Sequence, residues 1–292
     1  MTEPAAAELK GSLDLSEIER VVYNALAEDL GDPPRDVTSE ATIPAEQFDT
    51  AELVARADGV VAGLPVAAQV FAATSGGTAT FEQRAEEGDR VRRGDVLAVV
   101  TGPTRSLLTA ERTALNLISR MSGVATHTRR WADVLAGTGA TVLDTRKTTP
   151  GLRMLEKYAV RVGGGTNKRM GLYDVAMIKD NHKLAAGSIT AAYQLVRERF
   201  PDVPVQVEVT TLAEAREAVE AGAEFLLCDN MRPELLREVV AAVGDRVELE
   251  ATGNLTLETA AEYAATGVDY LSVGGLTHSS PILDIALDLR PR

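Results

Sequence analysis

The apolar positions of this chain change rhythm twice. From Leu15 to Leu30 they recur at Ile18, Val21, Val22, Leu26 and Leu30, which is the spacing of one helical face. Ser16 is placed to cap that helix, and Gly31-Asp32-Pro33-Pro34 ends it. From Thr50 to Pro103 the signal becomes short strands broken by glycine, in AELVARADGVVAGL and TATFEQRAEEGDRVRRGDVLAVVTGP. A longer helix is predicted from Ser106 to Met121, with Leu107, Leu108, Ala110, Leu115 and Ile118 on its apolar side and Arg112 within it.

After Gly123 strand and helix alternate. Short apolar runs fall at Thr141–Asp144, Ala159–Val162, Val175–Ile178, Val205–Val209, Glu224–Cys228, Val247–Ala251 and Tyr270–Val273. Helices are expected between most of them, at Thr211–Glu220, Pro233–Val243 and Thr256–Ala265, with Gly222, Gly244 and Gly267 where C-caps are wanted. Such alternation implies a parallel sheet with helices outside, and seven strands suggest a closed or nearly closed α/β barrel. The fold class is therefore α/β. Residues 1–122 are expected to form an N-terminal sandwich domain and residues 123–279 a barrel, with a last helix, Ile282–Leu289 within about 280–292, packing back on the N-terminal layer.

The turns at Glu87-Gly88-Asp89 and Arg93-Gly94-Asp95 resemble those of biotinyl and lipoyl carrier domains. Carriers need a lysine in a tight turn, and this region has none, which leaves a structural β layer. No G-x-G-x-x-G follows the first strand of the alternating part, so a dinucleotide fold is not favoured. One cysteine, Cys228, rules out an intramolecular disulfide framework and fits a reducing compartment. The first residues carry no basic-then-apolar signal pattern, and no apolar run approaches membrane-spanning length. A pI near 4.8 argues against nucleic acid as the main partner. The expectation is a cytoplasmic protein acting on a small molecule.

Charge sharpens that expectation. Five of the six lysines lie between Asp144 and Lys183, in a chain of net charge -13. Cations gathered so tightly in an acidic protein point to an anionic ligand; a solvated helical face is the plainer alternative. Parallel α/β barrels assemble their sites at strand C-terminal ends. Those ends supply Asp144-Thr145-Arg146-Lys147, then Gly163–Gly165 with Asn167, Lys168 and Arg169, then Lys179-Asp180-Asn181-His182. They continue with Glu208, Asp229-Asn230, Thr252-Gly253-Asn254, and Gly274-Gly275 followed by His278. Cations come first and carboxylates after, a division suited to a polyanion held partly by a metal. The late glycines allow backbone N–H groups to approach a phosphate. Glu208 and Asp229 face the barrel interior, where each needs a cation, a hydroxyl pair or Mg²⁺; internal salt bridges would serve equally. Glu248 and Glu250 share that face and rank lower. His182, His278 and Cys228 show no zinc spacing, and Cys228 has no paired histidine to make it a nucleophile.

Read together, these residues resemble the quinolinate phosphoribosyltransferase family. The likeness rests on Glu28-Asp29-Leu30-Gly31 with Asp36-Val37-Thr38, Glu111-Arg112-Thr113-Ala114-Leu115-Asn116, DTRKTTPGLR from Asp144, KYAVRVGGGTNKR from Lys157 and IKDNH from Ile178. Glu208-Val209, Cys228-Asp229-Asn230, Thr252-Gly253-Asn254 and Ser272–His278 complete it. The resemblance implies an α/β sandwich beside an open seven-stranded barrel, paired head-to-tail in a homodimer with shared sites and possible higher assembly. It implies condensation of quinolinate with phosphoribosyl pyrophosphate, giving nicotinate mononucleotide, pyrophosphate and CO₂ with Mg²⁺.

By the family pattern, Thr145, Arg146, Lys147, Lys168, Arg169 and Lys179 line the substrate pocket, and Arg112 reaches it from the neighbouring subunit. Lys147, Lys179, Glu208 and Asp229 stand nearest the chemistry, the two carboxylates at the ribose and metal end. Thr252, Gly253, Asn254, Gly274, Gly275 and His278 serve the 5′-phosphate end. One position departs: Lys168 stands where the family usually has histidine. Lysine keeps a cation there but does not titrate near neutral pH unless strongly desolvated, so a general-base role is not expected. Two other readings stay open, a relative acting on another pyridine acid and a Schiff-base lyase using Lys179.

Overall fold

Residues 13–290 are described here from a computed structural model. Most of the first residues, in which no signal pattern is read, lie outside them, as does Lys10. In chain order the first part comprises α1 (Leu15–Leu30), α2 (Val37–Thr42), β1 (Phe48–Ala55), β2 (Gly59–Val60), α3 (Leu64–Ser75), β3 (Thr80–Gln83), β4 (Arg90–Val91), β5 (Val96–Pro103) and α4 (Thr104–Leu135). Then come β6 (Thr141–Leu143), α5 (Arg153–Val162), β7 (Ala176–Ile178), α6 (Asp180–Ala186), α7 (Ile189–Arg199), β8 (Val205–Val209) and α8 (Leu212–Glu220). The chain continues through β9 (Phe225–Asp229), α9 (Pro233–Val243), β10 (Glu248–Thr252), α10 (Leu257–Ala264), β11 (Tyr270–Ser272), α11 (Gly275–His278) and β12 (Ile285–Leu289).

These elements form two compact units. One holds the chain up to Arg129, Thr148–Gly164 and the residues from Thr277; the other holds Arg130–Lys147 and Gly165–Leu276. The first is built on an antiparallel sheet of order β12-β1-β5-β3, whose core includes Leu53, Leu97, Val100, Leu64 and Phe71. Helix α1 has the expected bounds, but Asp14 caps it in place of Ser16: its carboxylate accepts the Ser16 N–H at 2.9 Å. Helix α4 runs well past the expected Met121 end. Gly123, inside it, lets another segment pass close by, since a Cβ there would lie 2.1 Å from the Pro281 carbonyl oxygen. The segment beyond is not the expected helix. Ile282, Leu283, Ile285, Leu287 and Leu289 carry it into strand β12, which pairs antiparallel with β1 from Ala51↔Leu289 to Ala55↔Ile285.

The second unit contains a parallel sheet of order β6-β11-β10-β9-β8-β7, flanked in sequence by its helices. The expected strand at Ala159–Val162 is instead the end of α5, in the other unit, where Leu155, Ala159 and Val160 are buried at helical spacing. The place beside β6 goes to Thr166, in an isolated parallel bridge with Leu143. The sheet thus has six strands and one bridge. Strands β8, β9 and β10 are buried along most of their length, with Gln206, Glu208 and Glu250 alternating among their apolar residues.

Candidate active site

The site begins with Asp144, which follows β6 and is fully buried. Its carboxylate accepts the Asn167 side-chain N–H at 2.6 Å and the Lys168 backbone N–H at 2.8 Å. A charge buried this deeply needs such donors, and they fix the path of the next segment. Lys168 and Arg169 are thereby set beside Thr145, Arg146 and Lys147, although the two groups lie on different stretches of chain. All five line one cavity of about 340 Å³.

The far side of that cavity comes from β7 onward. Lys179, at the end of β7, donates from Nζ to Glu208 Oε2 at 3.0 Å. Its backbone N–H is accepted by His182 Nδ1 at 3.0 Å, so His182 caps the start of α6. Lys183, one turn on, donates to the Glu208 carbonyl at 3.2 Å and to Glu214 Oε1 at 2.8 Å. Glu208, Asp229 and Thr252, at the ends of β8, β9 and β10, complete the wall with Met177, Leu227 and Ser272.

The loops after β9 and β10 hold an uncommon backbone. Asn230 (φ 53) and Asn254 (φ 50) are both left-handed, and Gly253, next to Asn254 in the chain, takes φ +98. A Cβ on Gly253 would sit 2.2 Å from Asn230 Oδ1. Non-glycine residues take such conformations at a cost and concentrate where function demands it.

Burial shapes the charges. Arg169 is pushed down from the usual guanidinium value, first by burial and then by Arg146. Lys168 is also pushed down, by burial first, while Glu250 on β10 pulls the other way. Lys168 Nζ donates to Glu250 Oε1, and Gln206 Nε2 donates to Glu250 Oε2 at 2.6 Å. Cys228 is buried, its thiol pushed up to about 12, which removes it as a nucleophile.

The cavity therefore gathers Thr145, Arg146, Lys147, Lys168, Arg169, Lys179, Glu208, Asp229 and Thr252 of the residues expected from sequence. Gly253, Asn254, Gly274 and Gly275 follow the ends of β10 and β11. Arg112, exposed on α4, and His278, whose Nδ1 meets Ser279 Oγ at 2.6 Å, belong to the other unit. Of the nine cations between Asp144 and Lys183, five line the cavity. Arg153, Lys157 and Arg161 ride on α5 in the other unit, and Lys183 supports Glu208. Glu250, placed below Glu208 and Asp229 from sequence, does not line the cavity but accepts from Lys168 and from Gln206, which the sequence did not single out. Their inward alternation on β10 and β8 was the available signal.

Comparison with known proteins gives this arrangement its family. Residues 36–122 match the quinolinate phosphoribosyl transferase N-terminal domain, and residues 124–288 match its C-terminal domain. The chain belongs to the quinolinate phosphoribosyltransferase family. It is 48% identical over 259 residues to the nicotinate-nucleotide pyrophosphorylase [carboxylating] of Mycobacterium leprae, covering 87% of this chain and 91% of that one. A probable enzyme of the same name from Bacillus subtilis is 41% identical, over 94% of this chain and 93% of its own. The crystal structure of NadC from Streptococcus pyogenes superposes with a TM-score of 0.92 at 38% identity, covering 96% of this chain and 99% of that chain.

Within the quinolinate phosphoribosyltransferase family, the two matched domains divide the chain beside Gly123. The cationic cavity lies wholly in residues covered by the C-terminal match. Among the described residues no helix is long and apolar enough to cross a membrane.

Proposed function

We propose that this cavity binds quinolinate among Arg146, Lys168 and Arg169, and phosphoribosyl pyrophosphate toward Lys147, Lys179, Glu208 and Asp229. The chain's family is that of the carboxylating nicotinate-nucleotide pyrophosphorylases, pentosyltransferases of NAD biosynthesis. The observation that carries the reading is five cations from separate stretches converging on one cavity opposite two carboxylates. Quinolinate is a dianion, and planar guanidinium groups suit its carboxylates.

The ring nitrogen then bonds to C1 of the ribose as the bond to pyrophosphate breaks. Positive charge that develops on the sugar is met by the carboxylates, and negative charge on pyrophosphate by Lys147 and Lys179. The carbon–carboxylate bond next to the quaternised nitrogen breaks afterwards. Its electron pair stays on the ring carbon, which takes a proton, and CO₂ leaves.

Among the described residues, no group of three or more His, Cys, Asp or Glu could hold a metal ion. Glu208 and Asp229 line the same cavity, which fits Mg²⁺ held by one or two carboxylates and completed by substrate phosphates and water. Bound there, Mg²⁺ would offset charge on the pyrophosphate. The Glu208 carboxylate at 3.0 Å engages Lys179 as a salt bridge, which disfavours a Schiff-base role for that amine. The site is completed in a homodimer by the partner subunit's Arg112, and the reaction runs in the cytoplasm. The test is incubation with quinolinate, phosphoribosyl pyrophosphate and Mg²⁺, following CO₂ and nicotinate mononucleotide, with nicotinic acid as control. Turnover of nicotinic acid but not quinolinate would overturn the assignment.

A further inference from the structure

Lys168 is a cation of the cavity engaged by a fully buried carboxylate, Glu250. Its side chain is 10% exposed, and Glu250 and Gln206 are both 0% exposed. Neither Glu250 nor Gln206 lines the substrate cavity; Gln206 lines a second cavity of about 230 Å³, which Lys168 and Arg169 also line. Each Glu250 oxygen has a donor, Lys168 Nζ at Oε1 and Gln206 Nε2 at Oε2. The Gln206 amide is oriented by that contact. Reversed, it would set its oxygen against the Glu250 carboxylate oxygen and lose that hydrogen bond. Gln206 Oε1 is left buried without a hydrogen bond, the cost of presenting the nitrogen.

An ammonium this buried loses hydration and is driven toward the neutral amine unless a carboxylate compensates. Glu250 is a carboxylate whose charge and hydrogen bond favour that ammonium. Arg169 beside it and Lys179 at the end of β7 both disfavour a further positive charge. Asp144 is committed to the Lys168 backbone N–H and to Asn167, and Glu208 to Lys179. Arg146, Lys147 and Asp229 line the open cavity, and buried Cys228 near Glu250 stays a neutral thiol.

We propose that Glu250, oriented by Gln206, is a positioning residue that holds Lys168 charged and directed at the substrate carboxylate. Quinolinate binding at this position then stays insensitive to pH across the neutral range. This rests on the functional reading above. An imidazole in place of Lys168 would lose its charge as pH rises through neutrality, and the paired lysine does not.

The test compares wild type with Glu250→Gln, which is isosteric and uncharged. Its kcat/KM for quinolinate should fall with rising pH, by about tenfold per pH unit once the unpaired ammonium deprotonates, where wild type is flat. KM for quinolinate should carry the change, with KM for phosphoribosyl pyrophosphate little altered. Adding Lys168→Arg should abolish the step, because arginine does not deprotonate in this range. A folded Glu250→Gln enzyme with the wild-type profile, or a step that persists in the double variant, overturns the proposal. Should Glu250→Gln fail to fold, ¹⁵N-lysine spectra of wild type decide, with the Lys168 signal assigned by its loss in Lys168→Arg. An ammonium throughout the neutral range is expected, and titration within it overturns the idea. Wild type without activity on quinolinate would instead remove the functional reading itself.

Discussion

Lys179 Nζ and Glu208 Oε2 meet at 3.0 Å across the ends of adjacent strands β7 and β8, with the lysine side chain 45% exposed and the glutamate 10%. An ion pair this open contributes little stability, about 0–1 kcal/mol. In the proposed reaction its value lies in fixing two opposite charges at the reacting end of the cavity. Glu208→Gln should therefore leave the melting temperature nearly unchanged and lower kcat by about a hundredfold or more. Thermal unfolding and steady-state kinetics on the same sample check both halves.

In the proposed arrangement Arg146 and Arg169 act on the other substrate. Truncating either to alanine removes a charge-assisted contact worth about 1.5–3 kcal/mol. KM for quinolinate should rise by about 10- to 150-fold, with the fold intact by circular dichroism. Wild-type kinetics in either variant would remove the cationic-pocket assignment.

Gly253→Ala tests the strained loop. At φ +98, with Asn230 Oδ1 only 2.2 Å from the added Cβ, the loop must move. A stability loss of about 1–3 kcal/mol is expected, together with a raised KM for phosphoribosyl pyrophosphate. Denaturant midpoints and substrate titrations measure the two effects.

Asp174 gives a pH prediction. Burial alone would raise its pKa, but the backbone N–H groups of Met170 (2.5 Å) and Gly171 (3.0 Å) outweigh that and hold the carboxyl below its ordinary 3.8. A depressed acid contributes stability that is present above the unfolded value and lost as pH falls through the folded one. The turn at 170–174 should thus stay closed at pH 4 and open below it. Pepsin cleavage near Leu172 and Tyr173, 73% and 78% exposed, should begin only at that lower pH in wild type. In Asp174→Asn it should occur already at pH 4.

Sharing of the site between subunits is tested by complementation. Arg112→Ala and Lys147→Ala subunits, each inactive alone, are mixed and allowed to exchange. Heterodimers should carry one site free of both changes and recover part of the activity. Folded heterodimers without recovery would confine Arg112 to its own subunit.

Much of the parallel sheet was legible because its strands are buried on both faces and its helices alternate with them. Val205–Val209 and Pro233–Val243 have the bounds read from sequence, and β9 and β10 lie one residue later than expected. The errors share a cause: a short apolar run does not declare its period. Ala159–Val162 looked like a strand because Leu155, the residue that makes its spacing helical, lies outside the run. Ile282–Leu289, expected as a helix, alternates apolar residues at 283, 285, 287 and 289, and that alternation was the truer signal. The cations that form the cavity were legible as a local excess of charge. Their partners were not, because Glu250 meets Lys168 across 82 positions and only the register of the sheet brings them together.

The pairing of β12 with β1 also sets an order of events during synthesis. Strand β1 emerges early, yet one of its two hydrogen-bonding edges stays open until residues 285–289 have left the ribosome. Through that interval the nascent chain presents Ala51, Leu53 and Ala55 beside an unpaired strand edge, a surface open to pairing with other chains. The unit that is made first is the last to be closed, and a ribosome that stalls before Ile285 leaves behind a species poised to aggregate.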